Sequence, residues 1–319
     1  LRGLTGSSRS LLTAALARET DRPILLITPD LSTAEDLKDD LLFLLGPRTA
    51  AVFPDPSLEP YRAQHPRVAL RAARIEALAA LADPAWKAAL PACDRLQILV
   101  VPAVSLVVPV PRPEQFRSRV IRLRVGDTVD LDRLLARLVR LGYSGVPLVG
   151  EYGDFGRRGG ILDVYSFGRE NPVRVEFDGD EVASLREFDP FSQRSLQTLP
   201  EAVFLPLWEW LPGEEELAEL AGHAAARGAR DPVGSDGATE PVAEPPEAEE
   251  PEIGVSAGAA PGRESFTDAS IAEALVEERL GSLEANGTLE GIEWSLPFFG
   301  DWRGRLTDYV PSEGILVVD

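Results

Sequence analysis

The first ~110 residues alternate between two hydrophobic periods. Ser8 to Glu19 and Ser32 to Leu45 place their apolar residues at helical spacing, whereas Pro23 to Ile27 and Ala50 to Phe53 are short, nearly continuous apolar runs of strand type. A further helix is predicted from Pro66 to Leu81, followed by the apolar run Ile98-Leu99-Val100-Val101. Strand and helix in strict alternation imply an α/β fold with a parallel, doubly wound sheet.

From Arg117 the pattern changes. Val120 to Val125 alternates apolar residues with arginine, and a helix follows with Asp130 as its N-cap, Gly142 as its stop and Leu131, Leu134, Leu135 and Leu138 on one face. Three short strands are predicted next, at 160–165, 172–177 and 181–186, with Asp178-Gly179-Asp180 as a tight hairpin between the last two. This is the signature of a small α+β domain. Beyond residue 200 come the apolar segment Val203 to Trp208, a helix predicted at 271–283 and a closing strand, Ile315 to Asp319.

Composition divides the chain further. Residues 231–262 hold six prolines and eight acidic residues with no Lys, Arg or aromatic, which predicts a flexible acidic linker. Residues 113–200 hold 13 Arg against 14 Asp and Glu, so most of the formal charge of −20 lies elsewhere. That excess opposes nonspecific binding to nucleic acid, which requires clustered cations against phosphate. Methionine is absent, even at position 1, which predicts a segment of a longer gene product. No run of 18 apolar residues occurs, so a soluble, cytoplasmic protein without membrane contact is expected. One cysteine, Cys93, and two distant histidines, His65 and His223, suggest a buried thiol and no metal or other cofactor.

Gly3, Gly6, Ser8, Arg9 and Ser10 stand where a phosphate-binding loop would precede a helix. Ser8 occupies the place of a glycine and Arg9 that of the lysine, and a planar guanidinium does not replace a compact ammonium there. A degenerate nucleotide loop is therefore expected. Asp319, after four apolar residues, has the form of a magnesium-holding strand end, although any apolar strand with a polar terminus looks the same. Asp163, Glu176 and Glu181 alternate with apolar residues and have no nucleophile or histidine near in sequence, so they read as solvated strand positions and not as catalytic carboxylates.

The stretch Gly153 to Val164, with Pro172 to Glu181 and Arg186 to Ser195, is far more specific. It resembles the second domain shared by the repair helicase UvrB and the bacterial transcription-repair coupling factors. Leu58 to Tyr61 with His65-Pro66, the helix from Arg71 and Val100 to Leu106 are similar to the first half of the coupling factor's domain 1. Gly291 to Trp294, Leu296 to Phe299 and Asp308 to Pro311 are similar to its second half. The degenerate loop and the short connection between Tyr61 and Arg71 favour the coupling factor over UvrB.

The resemblance implies a degenerate, helicase-like P-loop fold split into two halves, 1–112 and 201–319, around an inserted UvrA-binding domain at 113–200. It implies a UvrA-recruiting module in transcription-coupled nucleotide excision repair, with no ATPase of its own. RNA polymerase and DNA would be bound through other domains of the intact protein. Arg158, Arg174, Phe177 and Asp178 fall at the implied UvrA contacts, and Asp178 stands where these factors commonly carry a second aromatic. Two rivals remain: a nucleotide-dependent UvrB-like helicase fragment, and a direct DNA-damage-binding module suggested by arginine making up all but two of the 32 basic residues.

Overall fold

The computed structural model describes residues 6–56, 68–209 and 303–319, all of which fall in one compact unit. Gly3, the 58–66 segment, the linker at 231–262, the helix at 271–283 and the 291–299 motif lie outside the described residues. Along the chain the elements run α1 (Ser8–Glu19), β1 (Ile24–Thr28), α2 (Leu31–Leu45), β2 (Ala50–Val52), α3 (Val68–Ala82), β3 (Ile98–Pro102), α4 (Ala103–Val107) and β4 (Val110–Pro111). They continue through α5 (Pro113–Arg119), β5 (Ile121–Arg124), α6 (Leu131–Arg140), β6 (Ser144–Gly145), β7 (Asp154–Arg158), β8 (Ile161–Val164), β9 (Val173–Asp178) and β10 (Glu181–Phe188). Last come β11 (Ser195–Thr198), β12 (Glu201–Phe204), β13 (Arg303–Gly304) and β14 (Ile315–Val318).

The apolar runs of the first hundred residues pair as a parallel sheet in the order β14-β1-β3-β2. Alternation along each strand sends side chains to two buried layers. Ile24, Leu26, Ile98 and Val100 pack with Ala14 and Ala17 of α1 and Leu37 and Leu41 of α2. Leu25, Leu99 and Val101 join Ile75 and Leu78 of α3 in the other layer. A parallel sheet buried on both faces needs such nearly continuous apolar strands, and each fully buried aliphatic side chain contributes about 1.5–3 kcal/mol. β14 comes from the last residues of the chain, yet it lies beside β1 with Ile315 opposite Ile24.

The second sheet has the order β11-β10-β9-β8-β7-β6, antiparallel except for the β6–β7 pair. Leu134 and Leu138 of α6 share a core with Leu162, Val164, Val173, Val175 and Leu185 on one face of this sheet. That core is continuous with the α3 layer. Asp130 caps α6 by accepting from the Arg133 N–H at 3.1 Å, as the sequence predicts. The β9–β10 hairpin pairs Asp178 with Glu181, and Gly179, at φ +63°, takes the loop position where two-residue hairpins favour glycine.

Several elements go beyond the sequence expectation. The strand at residues 154–158, the edge strand Ser195–Thr198 and the helix Pro113–Arg119 were not among the elements predicted. Among the described residues no helix is long and apolar enough to cross a membrane. Cys93 is buried, and the desolvation of its thiolate raises the thiol's pKa.

Candidate functional site

At the loop end of the parallel sheet, Gly6 has φ +56° and α1 begins two residues later. The polar side chains that would face a nucleotide are engaged within the chain. Arg9 forms an ion pair with the Asp319 carboxylate just past β14, and its Nε lies 3.5 Å from the Gly6 carbonyl. Ser10 is buried and donates its hydroxyl proton to Asp40 of α2 at 2.5 Å. The Arg9 guanidinium thus faces the carboxylate at the end of the strand whose sequence has the form of a metal-holding one.

The second sheet presents a polar face opposite its core. Register fixes which side chains share it: Asp163 of β8 lies opposite Arg174 of β9, and Arg174 lies opposite Arg186 of β10. In the neighbouring row, Arg158 of β7 is opposite Ile161, Ile161 opposite Glu176, and Glu176 opposite Ser184. Arg158 and Arg174 are thus brought onto one face, two strands apart, and Asp178 follows Arg174 and Glu176 on the same side of β9 by the strand's period of two.

The arginines differ in how they are held. Arg174 grips Asp163 bidentately, Nε to Oδ1 and Nη2 to Oδ2 both at 2.7 Å, donates from Nη2 to Gln193 Oε1 at 3.2 Å, and lies 4.4 Å from the centre of the Phe188 ring. The Asp163 bond raises its pKa further. Arg158 is exposed and makes one bond to the backbone, Nη2 to the Pro147 carbonyl at 3.0 Å. Arg186 adds a third guanidinium, 3.3 Å from Glu176, which also accepts from Ser184 at 2.6 Å.

Two expectations change here. Asp163 is not a solvated position: it is 7% exposed, and its carboxylate is tied to Arg174. Phe177 is not brought to the polar face; it pairs with Val182 and packs half-buried against the core beneath the hairpin. Arg157 likewise points to the helical side, where it reaches Asp132 of α6 at 2.7 Å. Arg186 and Gln193, which join Glu176 and Arg174 here, were not singled out from the sequence.

Residues 121–210, which span the six-stranded sheet, match the family described as the UvrB interaction domain. Over 218 residues, 68% of this chain, the sequence is 36% identical to the transcription-repair-coupling factor of Bacillus subtilis. It is 35% identical over 233 residues to that of Myxococcus xanthus and 36% identical over 228 residues to that of Mycobacterium tuberculosis. These matches are those expected of the UvrB-like module of a transcription-repair-coupling factor. The chain spans 18%, 19% and 18% of those relatives' lengths, respectively.

Proposed function

We propose that this chain recruits UvrA in transcription-coupled nucleotide excision repair, and that it does so through the polar face of the second sheet without hydrolysing nucleotide. The observation that carries this reading is the display of Arg158 and Arg174 on one open face, within the residues that match the UvrB interaction domain. A guanidinium fork holds a partner carboxylate with two parallel bonds, and arginine is enriched among residues that dominate interface energies. Arg158 contacts the partner directly, Arg174 through the edge that Asp163 leaves open, and Asp178 at the hairpin end. Phe177 supports that hairpin from the core side.

The nucleotide-dependent rival is disfavoured by the Arg9–Asp319 pair, which a magnesium-bound phosphate would have to break. A DNA-binding role is disfavoured by the net charge of −20. In the intact protein, RNA polymerase and DNA would be engaged by other domains.

Parallel calorimetric titrations with UvrA, ATP–magnesium and duplex DNA separate the three readings. Saturable binding of UvrA alone at physiological salt is expected. Saturable nucleotide binding, or a salt-dependent DNA complex without UvrA binding, would contradict the proposal.

A further inference from the structure

We infer that Phe191 is the apolar anchor of this same docking face, inserted into an apolar pocket on the partner that is rimmed by carboxylates. The inference rests on the UvrA-docking reading. Phe191 is 95% exposed, at the tip of the turn that joins β10 to β11. Single exposed apolar residues are common on soluble proteins, and two features set this one apart.

The first is rigid presentation. Asp189 Oδ1 accepts the backbone N–H of Phe191 at 3.0 Å and of Ser192 at 2.6 Å, while the Asp189 N–H donates to the Arg194 carbonyl at 3.0 Å. The Gln193 N–H donates to the Asp189 carbonyl at 2.8 Å, with Gln193 itself at φ +59°. A left-handed non-glycine residue is held only where its surroundings over-determine it. A phenyl ring held out on such a frame brings apolar area to an interface at little further cost in backbone entropy.

The second is its link to the arginines. Gln193 donates from Nε2 to the Pro190 carbonyl at 2.8 Å and accepts from Arg174 Nη2 at 3.2 Å. One amide side chain thereby ties the Phe191 turn to the guanidinium proposed to meet the partner. An aromatic linked through one amide to a largely buried arginine has the composition of an interface hot spot. The matching surface on the partner is an apolar pocket with acidic groups at its edge.

The test is a calorimetric titration of UvrA into the parent chain, Phe191→Ala, Phe191→Trp and Arg158→Glu, each checked by thermal melting and by sedimentation without UvrA. Phe191→Ala removes an exposed ring, so it is expected to melt with the parent while its affinity falls about 30-fold; Phe191→Trp is expected to retain binding. Parent-like affinity in Phe191→Ala, with loss in Arg158→Glu, overturns this inference alone. A parent that does not bind UvrA overturns the docking reading and this inference with it. Self-association of the parent that Phe191→Ala abolishes overturns it in favour of a second copy of the chain as occupant.

Discussion

Asp163 and Glu76 are both acidic side chains drawn into the interior, and their surroundings treat them differently. Asp163 lies beneath a bidentate arginine. Removing that arginine would leave a buried carboxylate unpaired, at a cost on the order of 3 kcal/mol, so Arg174→Ala confounds folding with binding. Glu76 of α3 accepts the Gly168 N–H at 2.8 Å, but burial dominates and raises its pKa above the ordinary value. The folded state then holds a proton that the unfolded chain releases near pH ~4.3. Stability contributed by the protonated carboxyl is complete below that pH and is lost as pH rises through the raised folded value. Glu76→Gln keeps an acceptor for Gly168 and removes the charge. Its melting temperature should exceed the parent's at neutral pH, with the gap closing at about pH 4; an equal melting temperature at neutral pH would contradict this assignment.

At the scale of elements, α2 is legible from its helical hydrophobic period, β1 and β3 from their nearly continuous apolar runs, and α6 because Asp130 and Gly142 mark its ends, whereas α1 buries Ser10, Thr13, Ala14 and Ala17 and leaves Leu11 and Leu12 exposed. β7 is not legible, since its Gly156-Arg157-Arg158 end offers no apolar alternation and only Phe155 faces the core. The polar face was legible only in part, for a reason of register. Counted from the Asp178–Glu181 turn, Leu185 falls opposite Arg174. The bulge between Val182 and Ser184 shifts the pairing by one and puts Arg186 there instead. Cross-strand pairing likewise hid the union of Asp163 with Arg174. Gly142 at the end of α6 gives an element-scale prediction. It has φ +95°, and a Cβ there would stand 2.5 Å from Trp208 Cδ1, whereas Gly126 at φ +91° has open space. Both alanine variants incur left-handed strain of about 1–2 kcal/mol, so Gly142→Ala should lower the denaturation midpoint further than Gly126→Ala. Equal losses would mean that the indole yields freely.

For the whole molecule, the continuous core from α3 to the second sheet makes the polar face a display on a packed base, which suits recognition with little rearrangement. Charge is distributed to match: residues 113–200 are near neutral, with 13 Arg against 14 acidic residues in a chain of net −20, so local guanidinium placement governs the face. Arg158 tests UvrA docking by this face most cleanly because its side chain is exposed and, among the described residues, bonds a backbone carbonyl. The deciding measurement is the dissociation constant for UvrA of Arg158→Glu beside the parent, at matched salt and with melting curves for both. Unchanged melting and a loss of about 2 kcal/mol, roughly 30-fold in affinity, are expected. Parent-level affinity in the folded variant, or no UvrA binding by the parent, would contradict docking by this face.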